Sequence, residues 1–455
     1  MDGLTGADAD RLADELGDLP LAIAQAAGFM AETGMAAAEY LGLLRTRAGQ
    51  LLAQSAPGSY PRSLAAATQL TADRLTGEDP AAAELASLCA YLAPEPIPGD
   101  LFTGAASDLP GDLAARAADP LAWRQTLAHL ARQSLARIDH RVLQMHRLTQ
   151  AVLRDRLMPE QAAATRAQAE AILAAGNPGD PPNPGTWPRW AQLMPHLLAA
   201  DLAATDNSAL RQLACDACAY LLARRDIRTC HDLASDLYRQ WHDRLGDYHQ
   251  QVRAIALYFA WALWGMGRYA EARDLSQDTL DRYRRVLGED HPDTLGTANH
   301  LACTLHKLGE LQAARDLDRD TLDRYRRVLG EDHPGTLLSA FHLARTLHEL
   351  GELQAARDLD RDTLDRYRRV LGEDHPETLR SATNLAADLR VLGELQAARD
   401  LDQDTLDRQR RVLGEDHPDT SISAANLAAD LRALGEADDD PEAVTSPRDH
   451  PGAPA

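Results

Sequence analysis

The chain has 455 residues, 45% of them hydrophobic, 25% charged and only 5% aromatic, so length alone predicts two to four units rather than one core. Sparse aromatics beside abundant Ala, Leu, Arg and Asp suit helical arrays and argue against an all-β chain. Acidic residues outnumber basic ones 69 to 47, a net charge of -22, which opposes nonspecific attraction to nucleic acid or anionic lipid.

From the N-terminus, residues 1–18 are acidic and the apolar stretch 20–30 is interrupted by Gln25. That pattern supports neither a secretory leader nor a membrane span. Cys89, Cys215, Cys218, Cys230 and Cys303 are odd in number and scattered, which reads as reduced thiols in a cytoplasmic protein. Residues 81–92 and 123–135 have helical patterns, separated by the extended Pro94-Glu95-Pro96-Ile97-Pro98. Segments 134–138 and 142–146 flank Asp139-His140-Arg141 as a small hairpin, and helices followed by a hairpin predict a winged-helix module. The proline- and glycine-rich segment 176–188 breaks any helix and marks a boundary.

The strongest signal is a repeat of period 42. Gly288-Glu289-Asp290-His291-Pro292 recurs at 330–334, 372–376 and 414–418, and residues 308–334 are identical to 350–376 over all 27 positions. A decayed copy, Leu245-Gly246-Asp247-Tyr248-His249, extends the array to about five units over 208–435. Each unit reads as two helices. The first, 293–308, places Leu301, Ala302, Leu305 and Leu308 on one stripe; the second, 310–329, does so with Leu311, Ala314, Leu317, Thr321, Leu322 and Val328. Gly309 and Gly330 close the helices and Pro292 or Pro334 opens the next. The expectation is mainly all-α: a solenoid of stacked helix pairs, whose physical use is binding along an extended face.

Asn384-Leu385-Ala386, Leu392-Gly393 and Ala397-Ala398-Arg399 resemble the tetratricopeptide repeat, in its longer kinesin-light-chain-like form. That resemblance implies a right-handed α-solenoid. It departs where Ser276, Asp318, Asp360 or Asp402 fills a position that is usually bulky. Leu16-Gly17-Asp18-Leu19-Pro20-Leu21-Ala22 and Met145-His146-Arg147 resemble the GLPLA and MHD segments of NB-ARC modules in STAND-class signalling ATPases of actinobacterial type. Carried over, Pro20 and His146 are vestigial nucleotide-sensing positions. Asp18 stands where that family usually has glycine, and Arg147 where it has aspartate. The resemblance implies a helical remnant of an NB-ARC domain (1–60), a winged-helix-like domain (61–158), a helical linker (159–207) and the repeats (208–436); residues 437–455, rich in Asp, Pro and Ala without apolar periodicity, read as a disordered acidic tail.

Chemistry is sparse. Lys307, the only lysine, follows no glycine-rich loop, so a Walker A site is missing and no enzyme is expected. Neither GxSxG nor HExxH occurs. His291, His333, His375 and His417 lie one per repeat, too dispersed for one zinc ion, and read as structural residues of the helix joint. Cys215 and Cys218 read as buried small side chains rather than a metal pair. Asp320 with Arg324 and Asp323 with Arg327 sit at i,i+4 spacing on an outer face. No cofactor or metal is expected.

A non-catalytic interaction scaffold is therefore the leading reading, binding a protein or peptide on the concave face, with an ATPase chain or a second copy as further partners. The alternative is a DNA-binding regulator using the winged helix. Residues 79–158 carry eight arginines against nine acidic residues, which disfavours it. On the first helices, positions off the apolar stripe vary between repeats: Asn299, His300, Cys303, His306 and Lys307; Phe341, His342, Arg345, His348 and Glu349; Arg380, Thr383, Asn384 and Arg390; and Asn426. These are the candidate partner-binding residues, with Asn384 and Asn426 resembling the tetratricopeptide asparagine that bonds a ligand backbone, and the arginines suited to carboxylates.

Overall fold

In the computed structural model, residues 6–53, 64–139, 141–415 and 417–435 are described; His140 of the expected hairpin and the expected acidic tail lie outside them. The chain divides into two compact units, 1–244 and 245–455. No helix among the described residues is long and apolar enough to cross a membrane.

The first unit contains helices α1 (Gly6–Glu15), α2 (Pro20–Thr33), α3 (Ala37–Ala53), α4 (Leu64–Glu78), α5 (Pro80–Cys89), α6 (Asp100–Gly104), α7 (Gly111–Ala118), α8 (Pro120–Arg132), α9 (Arg147–Asp155), α10 (Pro159–Ala175), α11 (Trp187–Ala199), α12 (Ser208–Ala223) and α13 (Ile227–Leu245). Prolines open α2, α5, α8 and α10, where a missing N–H costs nothing. Three short antiparallel strands, β1 (Ile97–Pro98), β2 (Arg137–Asp139) and β3 (Val142–Gln144), pair in the order β1-β3-β2. The β2–β3 hairpin aligns Ile138 with Leu143, and the Pro94–Pro98 turn supplies the third strand, aligning Ile97 with Leu143.

Buried polar side chains fix this region. Gln150 donates through Nε2 to the carbonyls of Cys89 and Leu92 at 3.0 and 3.1 Å, closing the end of α5. The Ala93 amide donates to His196 Nδ1 at 3.2 Å, while His196 Nε2 lies 3.3 Å from the Pro96 carbonyl, which orients the proline turn. Leu12, Leu16, Ala22, Ala26, Met30, Tyr40, Leu148 and Val152 share one core. Within that core α9 packs on α3 and α4, and α3 in turn on α1 and α2, joining segments more than a hundred residues apart in sequence.

The second unit alternates first helices α14 (Gln250–Gly265), α16 (Pro292–Lys307), α18 (Pro334–Glu349), α20 (Pro376–Val391) and α22 (Pro418–Leu434) with second helices α15 (Tyr269–Leu287), α17 (Leu311–Leu329), α19 (Leu353–Leu371) and α21 (Leu395–Leu413). Each helix packs on the next in sequence, and successive first helices also pack on one another. The first helices therefore line the shorter, inner side of the array.

The Gly-Glu-Asp-His-Pro joint is accounted for atom by atom. Gly288 and Gly330 sit at φ 88° and 87° with ψ near 168°, a region open essentially to glycine alone. The histidine caps the following helix: Nδ1 of His291, His333, His375 and His417 accepts the amide two residues on at 3.0–3.2 Å. Thr294 and Thr336 donate back to the Gly288 and Gly330 carbonyls at 2.8 and 2.7 Å. Asp290 receives Arg324 and Arg327 from the next second helix, at 2.9 and 3.0 Å.

Two local expectations change. Arg327 reaches back to Asp290 instead of its i−4 neighbour Asp323, which lies 4.0 Å from Arg326. The inner stripe of α17 takes Asp318 and Tyr325, only 1% and 6% exposed, while Val328 stays 41% exposed.

Candidate functional site

Two regions gather the residues singled out by the sequence. In the first unit, a cleft of about 570 Å³ is lined among others by Asp14, Gly17, Asp18, Glu95, Arg137, Gln144, His146 and Arg147. Gly17 and Asp18 both have positive φ, 64° and 54°, and this turn between α1 and α2 brings the Gly17 carbonyl 3.4 Å from His146 Nε2. A Cβ on Gly17 would fall 2.2 Å from that nitrogen, so the approach requires glycine.

The two segments resembling a nucleotide module thus meet, although 129 residues separate Gly17 from His146. Pro20 does not line the cleft. It is exposed at the start of α2, whereas Gly17 and Asp18 line the cleft. His146 caps α9 by accepting the Leu148 amide through Nδ1 at 3.2 Å, which leaves Nε2–H to face Gly17. Burial, and then Arg147, hold its pKa below the ordinary imidazole value against the raising effect of the Gly17 bond. Both ring nitrogens are spent inside the fold.

The second region is the inner face of the solenoid, and it sorts the candidates. His300 has no exposed surface: its Nδ1 lies 2.9 Å from Ser276 Oγ, its ring centroid lies 4.1 Å from that of Trp261, and burial pushes its pKa to about 3. It is a neutral packing residue and cannot meet a ligand. Asn299 and Phe341 are also buried, at 6% and 7% exposure. The Arg380 guanidinium covers the Phe341 ring at 4.9 Å, a cation–π contact, and also pairs with Glu377 at 3.0 Å.

Arg390 is committed within the array. It bonds Asp402 at 2.6 Å and also Asp430, so its charge is not offered to a partner. Lys307 is exposed; Arg345, His342, Asn384 and Asn426 are half-buried. Arg345 makes no ion pair among the described residues, and its Nε and Asn384 Nδ2 are buried without hydrogen-bond partners. His342 Nδ1 lies 3.1 Å from Cys303 Sγ. Burial raises that thiol's pKa to about 11, far from a nucleophilic thiolate. His306 faces Glu349 at 3.2 Å and His348 faces Asp388 at 2.5 Å. Thr383 turns back on the Leu379 carbonyl.

What sequence reasoning missed is a buried line of carboxylates: Asp318, Asp360, Asp388, Asp402 and Asp430, each at most 1% exposed. The signal was present as an aspartate at a bulky position every 42 residues, joined by Asp388 and Asp430 where Thr304 and Thr346 stand in earlier repeats. Cys215 and Cys218 are fully buried, and burial raises the Cys215 thiol. Among the described residues, no group of three or more His, Cys, Asp or Glu side chains could hold a metal ion.

Family comparison matches tetratricopeptide-repeat models to residues 251–327, 297–369 and 378–419, and a domain of unknown function, DUF7779, to residues 74–162. No curated protein matches the sequence. A solved kinesin-light-chain protein of nearly identical TPR-like repeats from Podospora anserina is 22% identical, covering 44% of this chain and 95% of its own, with a TM-score of 0.40. A signal transduction ATPase with numerous domains and a tetratricopeptide-repeat sensor, from Pyrococcus horikoshii, is 11% identical over 92% of this chain and 70% of its own, at 0.44. A Rap protein complexed with competence and sporulation factor is 12% identical over 78% and 99%, at 0.37. The helix pairs of the second unit are tetratricopeptide repeats.

Proposed function

We propose that the chain is a non-catalytic interaction scaffold that holds a protein or peptide partner on the inner face of its repeats. One observation carries this reading: the first-helix positions of Lys307, Arg345 and Arg380 hold different residues in the other repeats, and the column of Asn384 and Asn426 holds His300 and His342 in the earlier ones, whereas the second helices and joints are nearly copied. A surface that recognises an irregular chain needs variation where the packing frame does not. Arg345 and Asn384 are half-buried, and a guanidinium and a side-chain amide are suited to a ligand's carboxylates and backbone groups.

In this reading residues 1–60 are the helical remnant of the NB-ARC domain of a STAND-type regulatory module, with residues 61–158 as its winged-helix-like part and 159–207 as a helical linker to the repeats. Its cleft at Gly17 and His146 is a structural vestige in the cytoplasm. Arg137 and Arg147 are not backed by a lysine-bearing phosphate loop, so calorimetry is expected to detect no ADP binding at micromolar concentration. An ATPase chain or a second copy remains the further partner proposed.

Photocrosslinkers placed at Lys307 and Arg345, compared with Val328 and Val370 on the second helices, test the binding face in the native cell. The proposal expects one shared protein captured from the first two positions and not from the valines. Capture from the valines alone would overturn it.

A further inference from the structure

The four junctions between successive repeats share almost the same frame but differ in what they bury at one point. At the first, Ser276 on α15 meets His300 on α16 and no carboxylate is present. At the second, Asp318 on α17 accepts the Thr346 hydroxyl of α18 at 3.1 Å, with Arg345 of α18 and Cys303 of α16 facing it. At the third, Asp360 on α19 faces Asp388 on α20; His348 of α18 lies 2.5 Å from Asp388, and Arg357 of α19 lies near. At the fourth, Asp402 on α21 faces Asp430 on α22, bridged by Arg390 of α20.

These acids are inside, and each leaves an oxygen without a donor: Asp318 Oδ1, Asp360 Oδ1, Asp388 Oδ2, Asp402 Oδ1 and Asp430 Oδ2 have no hydrogen-bond partner. A buried carboxylate oxygen that lacks a donor is costly, and two facing carboxylates cannot both ionise cheaply. One proton satisfies both oxygens of a facing pair. Charge counting agrees at the fourth junction: with Arg390, two carboxylates and one cation become neutral on taking up one proton.

We propose that protons bound at Asp318, at the Asp360–Asp388 pair and at the Asp402–Asp430 pair hold the later repeats together, so that this end of the solenoid loosens as the pH rises through neutrality. Burial is the leading cause raising Asp318 and Asp402, each to about 7, and it also raises Asp360 well above the ordinary carboxylate value. The sign follows from linkage. A carboxyl whose folded pKa lies above its unfolded value stabilises fully below the unfolded value and loses that contribution as pH climbs through the folded one. The first half opposes this trend, because His300 and His342 are held neutral with pKa values near 3; their contribution is present above about 6.5 and is lost as pH falls through 3. The two ends of one array therefore respond to protons in opposite directions.

Amide hydrogen exchange on the full chain at pH 5.5 and 8.5, corrected for the intrinsic pH dependence of exchange, tests this. Protection in α19–α22 is expected to fall at least tenfold at the higher pH, while α14–α16 does not lose protection. The double variant Asp360→Asn, Asp402→Asn replaces each protonated acid by a neutral isostere and should keep its α19–α22 protection at pH 8.5. Equal wild-type protection at both values would overturn the proposal. So would a variant that still loosens at pH 8.5, or one that is already unfolded at pH 5.5, where the wild-type acids should be just as neutral.

Discussion

The outer face of the second helices and the stack between repeats hold different kinds of charge. The second helices carry copied surface ion pairs, such as Arg324 with Asp320 and Asp290 and its repeat Arg366 with Asp362 and Asp332. The first helices turn Arg390, Asp388 and Asp430 into the stack between repeats. Exposed pairs contribute little because water screens them and long side chains lose entropy. A buried charge stripped of its partner is expensive. The lesson is that the numerous, regular ion pairs are the weak ones, and the few irregular ones decide how firmly repeats join.

The sharpest way to break this contrast is Arg390→Ala. It strands Asp402 and Asp430, whose side chains are wholly buried, and should cost about 3 kcal/mol in denaturant unfolding. The neutral variant Asp430→Asn should recover part of that loss.

Asp318→Asn should act next. Wild-type stability is expected to decline between about pH 4 and 7, as the acid's folded-state proton advantage is lost, and this variant should flatten that decline. Titration of the unfolding midpoint over that window checks it.

A smaller effect is expected at the joints. His333→Ala removes the acceptor for the Gly335 amide and should cost about 1 kcal/mol, whereas His333→Asn should retain most of the cap. The smallest is Arg324→Ala, which should leave the melting temperature within about 1 °C of wild type.

The frame was legible in the sequence because every piece of it is local. Gly330, His333 and Pro334 announce a helix end, a cap and a helix start within five residues, and the helices begin and end within one residue or so of where the apolar stripes put them. Distant partners were not legible. The i,i+4 rule pairs Arg324 with Asp320 correctly but misses Asp290, 34 residues back, and misassigns Arg327 for the same reason. Asp318 was read as a blemish in packing because spacing marks a position as inward without saying what meets it there. His300 and Arg390 were read as ligand-facing, yet Trp261 and Ser276 cover one and two acids of neighbouring helices hold the other. In the first unit, the short segments at Gly17 and His146 are visible, but only the core that α3 shares with α1, α2 and α9 puts them together.

The central claim, that the variable inner face recognises the partner and the copied outer face does not, is tested most directly by partner capture with two triple variants. Arg345→Ala, Arg380→Ala, Asn384→Ala removes polar groups on the inner face and leaves the Arg390 bridge intact. Arg324→Ala, Arg366→Ala, Arg408→Ala removes the repeated outer arginines. The account predicts that the first set abolishes capture while the protein stays folded and that the second retains it. Capture that survives the first set and is lost with the second, both proteins remaining folded, would contradict it.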